Sequence, residues 1–311
     1  MLRLADEYLA HRRGLGFALR IEGQLLLRFA AYADRTGHRG PLTTELAVRW
    51  ARLPQEATPA YWARRLGIVR CFARYRAAFD AQTEIPPQRL LGEAYHRVTP
   101  HIYSEAELAA LLEAARRLPP ETALRPHTYA TLFGLLACTG LRLSEALKLT
   151  LSDVDWQQGL LTIRQSKFRK SRLVPLHPSA LKALQVYAER RARFFPLAPE
   201  GFFISARGTP LRPATARGTF TRLRDQLSWV GRPGRRRPRI HDLRHTFACR
   251  RLLEWYRQGV DLDHAIASLS TYLGHGEVAD TYWYLTGVPE LMELAATRFE
   301  RFASTTSGEQ S

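Results

Sequence analysis

One stretch of this chain alternates in the manner of a β-strand, and that limits the fold more than any other feature. Val154-Asp-Trp-Gln-Gln-Gly-Leu-Leu-Thr-Ile-Arg leads through Ser166-Lys-Phe-Arg-Lys-Ser into Arg172-Leu-Val-Pro-Leu, which predicts three short strands with turns at Gln157–Gly159 and at about 166–171. Elsewhere apolar residues recur at three- and four-residue steps, the period of a helix with one buried face. The expected fold class is therefore mainly α with a small antiparallel β-sheet.

At 311 residues the chain exceeds the usual size of one domain. Residues 1–92 read as a four- or five-helix bundle with helices over 2–14, 20–36 and 43–52, broken at Gly14–Gly16, Gly37–Pro41 and Leu53–Thr58. In the next helix Leu66, Val69, Phe72 and Ala73 follow Trp62 on one face, leaving Arg64, Arg70 and Arg74 on the other as candidate DNA contacts. These arginines could equally serve only to solvate the helix. Pro86, Pro87 and Pro100 interrupt the pattern, placing a linker over 93–103, and Ser104-Glu-Ala-Glu then opens a helix with a capping-box signature. The second domain, 104–302, carries helices expected at about 104–117, 126–138, 178–194, 214–227, 241–257, 262–271, 277–285 and 288–302. Residues 303–311 read as a flexible tail.

Charge narrows the choice of partner. Lys and Arg number 46 against 29 Asp and Glu, a net charge of +17, so a polyanion is the expected partner. Nearly all the excess is arginine, because the lysines are Lys148, Lys167, Lys170 and Lys182. A guanidinium grips phosphate with a planar fork of donors, whereas an ammonium is a point charge able to give up its proton. A GC-rich genome would also favour arginine over lysine, but it does not explain the sign of the net charge. Cys71, Cys138 and Cys249 are odd in number and widely spaced, suggesting neither a disulfide framework nor a zinc site. The early charges in MLRLADEYLAHRRGLGF do not suit a signal peptide, and no apolar run approaches membrane-spanning length. The expectation is a cytoplasmic, nucleoid-associated protein without a membrane partner.

Cutting a phosphodiester without a metal needs a nucleophile, cations on the non-bridging oxygens and a proton donor for the leaving oxygen. No metal cluster or P-loop is visible in the sequence, so no cofactor is expected. Four segments supply the metal-free set. Thr139-Gly-Leu-Arg-Leu-Ser-Glu145 places Arg142 just past a glycine turn, with Glu145 one helical turn on and able to hold it. Lys167 sits at the hairpin tip. His241-Asp-Leu-Arg244-His245 opens a helix, so His241 and Arg244 share a face near a positive helix terminus suited to phosphate. Leu273-Gly274-His275 is followed by Tyr282-Trp283-Tyr284.

This constellation resembles the tyrosine recombinase (phage integrase) family, which includes the Xer recombinases and many transposon integrases. The resemblance covers about 104–302, while the first domain is similar only in helical character and position. It implies a SAM-like core-binding bundle followed by an α+β catalytic domain, and a site-specific recombinase that cuts and rejoins DNA through a 3′-phosphotyrosine. Arg142 and Arg244 then look like the pair that clamps the scissile phosphate. Lys167 matches the hairpin lysine that protonates the leaving 5′-oxygen, with Lys170 as its rival. His241 resembles the histidine that assists proton transfer from the nucleophile, and His275 the one that hydrogen-bonds the phosphate; His245 is expected to pack or cap. The interval from Gly274-His275 selects Tyr284 over Tyr282 as nucleophile.

The basic approach at 228–239, with Arg235, Arg236 and Arg237, is expected to touch DNA backbone. Leu291, Leu294, Ala295, Phe299 and Phe302 form a stripe on the last helix. It either packs internally or, as the resemblance implies, docks on a neighbour in a homotetramer on double-stranded DNA, with accessory recombinases as further candidate partners. A mobile-element role fits the residues around Tyr284. Two alternatives stand beside the enzyme: a catalytically inactive DNA-binding accessory protein of a recombinase complex, and a type IB topoisomerase-like nicking and resealing enzyme.

Overall fold

A computed structural model describes residues 1–94, 99–164, 171–197, 200–229, 237–274 and 281. The chain separates into two compact units, Met1–Arg97 and Val98–Ser311. The first is built from α1 (Leu2–Gly14), α2 (Arg20–Arg35), α3 (Thr44–Ala51) and α4 (Pro59–Ala77). Helix α3 starts where Thr43 accepts the Leu46 amide at 3.2 Å, and α4 where Thr58 precedes Pro59, whose missing N–H costs nothing at a first turn. Leu26, Phe29, Trp50, Leu66, Val69 and Phe72 fill the core, with Phe29 edge-on to Trp50.

The second unit begins with α5 (Glu105–Arg116) and α6 (Leu124–Thr139), followed by the single turn α7 (Leu143–Ala146). Ser104 and Glu107 cap α5 reciprocally, at 3.1 and 2.8 Å, as the sequence motif predicts. A 3-10 turn at Leu151–Asp153 leads into β1 (Val154–Asp155), β2 (Leu160–Ile163) and β3 (Arg172–Pro175), an antiparallel sheet in that order with Leu161 opposite Val174 and Ile163 opposite Arg172. Then come α8 (Pro178–Phe194), α9 (Pro213–Gln226), α10 (Asp242–Arg257) and α11 (Leu262–Leu273). The expected helices at 277–285 and 288–302 and the tail at 303–311 fall on or largely within residues outside those described.

Two details depart from the sequence pattern. Tyr103, at the end of the expected linker, is fully buried in the second unit's core. Its amide donates to Thr246 Oγ1 at 2.9 Å, its hydroxyl donates to the Arg239 carbonyl at 3.0 Å, and its own carbonyl accepts from Arg250 at 3.0 Å. The segment before α5 is thereby tied to α10. The basic approach to α10 is also anchored at both ends: Trp229 packs on Tyr103, and Pro238 is buried.

Candidate active site

Helix α6 ends at Gly140, whose φ of 63° belongs to the left-handed region that glycine enters without steric cost. A Cβ there would lie 2.6 Å from the Phe247 ring. The turn presents the Gly140 carbonyl to Arg244 and delivers Arg142 to the start of α7. Glu145 then holds Arg142 twice: the Arg142 amide donates to Oε2 at 3.0 Å, and Nη1 donates to Oε1 at 2.8 Å.

Arg244 reaches the same place from α10, whose start is fixed by Asp242. That buried carboxylate accepts the Arg239 amide at 2.8 Å and the Arg239 guanidinium at 2.8 Å. Arg244 is only 2% exposed, and it donates to the Gly140 carbonyl and to the Leu273 carbonyl, each at 2.7 Å. Arg142 donates to Leu273 at 3.4 Å and to Gly274 at 3.0 Å. The two guanidiniums, far apart in sequence, therefore meet at the carbonyl end of α11, where the helix dipole is negative.

A third arginine, to which the sequence reading assigns no role, completes the cluster. Arg172 on β3 donates to both oxygens of Glu145, at 3.2 and 2.9 Å, and from Nε to the Tyr272 carbonyl at 2.7 Å. Burial would raise the Glu145 carboxyl, but hydrogen bonds and charge from Arg172 and Arg142 outweigh it and hold the group at about 2. Glu145 is thus ionised throughout the physiological range. The signal for Arg172 was present in the strand alternation, which puts it on the inward face with Val174.

His241 stands at the start of α10 with its ring edge-on to His245, centroids 5.1 Å apart. His241 is exposed at the surface, with protein atoms crowding one side of the ring. Loss of hydration, then the nearby His245 and Arg244, push it down to about 4. The ring is therefore neutral near pH 7 and able to accept a proton.

Lys167, His275 and Tyr284 lie outside the described residues, as do Arg235 and Arg236; Arg237 is exposed. Of the arginines singled out on α4, Arg64 pairs with Glu22 at 3.2 Å, Arg70 donates to the Pro86 carbonyl at 2.9 Å, and Arg74 is exposed. Arg65 between them is instead buried, its guanidinium stacked 3.8 Å from the Trp50 ring centre and donating to the Trp50 carbonyl at 2.7 Å. The three cysteines are free thiols. Among the described residues there is no group of three or more His, Cys, Asp or Glu able to hold a metal, and no helix long and apolar enough to cross a membrane.

The phage integrase family model matches residues 102–288. The chain is 47% identical over 303 residues to y4rB of Sinorhizobium fredii (strain NBRC 101917 / NGR234), a protein named for integrase/recombinase activity, covering 95% of this chain and 96% of that one. It is 32% identical over 245 residues to tyrosine recombinase XerC of Chlorobaculum tepidum, covering 73% and 68%. In structure it is similar to the Tn1549 transposon integrase, solved in complex with transposon right end DNA, with a TM-score of 0.70 at 17% identity over 97% of this chain and 99% of that one. A lambda integrase tetramer bound to a Holliday junction is similar over 88% of this chain and 77% of that one, with a TM-score of 0.60 at 19% identity.

Proposed function

The chain belongs to the phage integrase family, and from that premise we propose that it is a site-specific DNA recombinase that cleaves and rejoins strands through Tyr284, in the service of a mobile element. The observation that carries this reading is the convergence of Arg142 and Arg244 on the Leu273 carbonyl, two residues before His275. Two guanidiniums held that close are suited to the non-bridging oxygens of one phosphate, whose charge grows as the pentavalent transition state forms.

In the proposed reaction the Tyr284 phenol oxygen attacks phosphorus and its proton passes to neutral His241. The bond from phosphorus to the 5′-oxygen breaks, and Lys167 protonates the departing oxygen while His275 hydrogen-bonds the phosphate. The phosphotyrosine keeps the energy of the broken bond, so a 5′-hydroxyl from a second strand can reverse the step without ATP. The positive balance of the chain supports double-stranded DNA as partner, with Arg64, Arg70, Arg74, Arg235, Arg236 and Arg237 assigned to its backbone. Assembly as a homotetramer through the helix expected at 288–302 belongs to the same proposal and is motivated by the tetrameric lambda integrase neighbour.

The test is a suicide duplex carrying the target site, in which cleavage traps the protein on DNA. Wild-type protein should become covalently linked and Tyr284→Phe should not. Trapping that persists in Tyr284→Phe moves the nucleophile elsewhere, and absence of trapping in the wild type favours the accessory-protein reading. On a supercoiled plasmid carrying the same site, relaxed circles without junction products favour the topoisomerase-like reading.

A further inference from the structure

The geometry points to Arg172 as a positioning residue for strand cleavage, one that sets the attitude of Arg142 through their shared carboxylate and fixes the carbonyl end of α11 against it. This rests on the recombinase reading above and deepens it.

The argument begins with the sheet. Arg172 pairs with Ile163 and shares the inward face of β3 with Val174, so a guanidinium stands where strand alternation calls for a core side chain. Its burial is offset by the bonds it makes. Each of its three nitrogens donates to protein: Nη1 and Nη2 to the two oxygens of Glu145, and Nε to the Tyr272 carbonyl. The side chain is 11% exposed against 21% for Arg142, which leaves Arg142 as the member of the pair open to a ligand.

Glu145 is the shared element. Its Oε1 accepts from both Arg142 and Arg172, and its Oε2 accepts from the Arg142 amide and from Arg172. Without Arg172 the carboxylate would keep partners on the Arg142 side alone and would be free to tilt, carrying the Arg142 guanidinium with it. At the other end the backbone of Gly274 packs directly on Arg172: a Cβ there would come within 2.9 Å of Nη1, and φ is +67°. One planar fork thus registers strand, helix α7 and the end of α11 together. Lysine offers a single point charge and cannot reproduce three fixed directions.

The experiment is single-turnover cleavage of the suicide duplex. Misplacement of a substrate-binding group by about 1 Å is worth up to about a hundredfold in rate, so Arg172→Ala should slow cleavage about tenfold to a hundredfold, with duplex affinity changed less than about threefold. Arg172→Lys should recover only part of the loss, and guanidinium ion added to Arg172→Ala should recover part of it too. The two arginines acting as a unit, Arg142→Ala/Arg172→Ala should be no slower than Arg142→Ala alone. A full-rate Arg172→Ala, or losses that multiply in the double variant, would overturn the inference.

Should Arg172→Ala prove too unstable to assay, Glu145→Gln replaces it in the same cycle with the same expected non-additivity. A readout independent of activity is the side-chain NMR signal of Arg142 in the full chain, which should move in Arg172→Lys and stay fixed when exposed Arg207 is replaced by lysine. An unmoved Arg142 signal counts against the inference even if no duplex is trapped. Absence of trapping by wild-type protein, with the Arg142 signal responding as expected, counts against the recombinase reading alone.

Discussion

Phe29 and Trp50 at the heart of the first unit are enclosed by Leu26, Leu46, Val69 and Phe72, whereas the middle of the second unit holds Glu145, Asp242 and Arg244, all nearly inaccessible to solvent. Both units have apolar cores, but among the described residues the second alone surrounds a network of buried charge. Burying a charge is costly unless it is paired and hydrogen-bonded. The core of the first unit therefore rests on apolar packing, and that of the second holds guanidiniums in fixed directions. Arg65 shows what happens when an arginine is drawn into the first unit: it stacks on Trp50 and bonds one carbonyl, with no carboxylate partner among the described residues.

The sharpest way to break this comparison is truncation on each side of it. Phe29→Ala should cost about 3–5 kcal/mol in denaturant unfolding of the first unit, the usual range for emptying a buried aromatic site. Arg244→Ala should lower trapping of a suicide duplex by on the order of 10²–10³-fold, about 2.7–4 kcal/mol of lost transition-state stabilisation. If the arginine were chiefly structural, melting would fall and the cleavage rate per folded molecule would not.

Glu145 sharpens the comparison through pH. Its folded value of about 2 lies below the ordinary value of 4.5, so it contributes stability that is complete above about pH 5 and is lost as pH falls toward 2. Acid unfolding curves of wild type and Glu145→Gln should converge below that window and separate above it. His241 should show the opposite of a salt-bridged histidine: an NMR titration midpoint below the usual 6.5, with the ring neutral at pH 7. Any stability linked to it is present above about 6.5 and declines as pH falls through the folded value. At the small end, Arg64→Ala should change stability by less than about 1 kcal/mol, because its pair with Glu22 lies on the surface.

The legibility of the site followed the same divide. Arg142 after its glycine turn, Glu145 one turn on, and His241 with Arg244 at a helix start are local patterns, and local spacing is enough to find them. Their convergence on Leu273 and Gly274 involves separations of 29 to 132 residues, which local spacing does not encode and which the family resemblance alone implies. Arg172 carries no local mark of its role, because a charged residue in a short strand is usually solvated and its partner, Glu145, lies 27 residues away in another element. On α4 the periodicity placed Leu66, Val69 and Phe72 inside as expected. The same pattern gave no hint that Arg65 would join them, because Trp50, the ring that receives it, belongs to α3.

By itself the sequence determined the helical register, the caps at Thr43, Thr58 and Ser104, the three strands and the glycine turn at Gly140, because each depends on residues within a few positions of one another. Tertiary structure alone decided that Glu145 is clasped by two arginines, that Tyr103 belongs to a core rather than a connection, and that the end of α11 is the meeting point of three guanidiniums. Those outcomes depend on which desolvated donors find acceptors when distant segments pack. Hydrogen-bond satisfaction in a buried centre is a property of the assembled fold, and no local pattern encodes it.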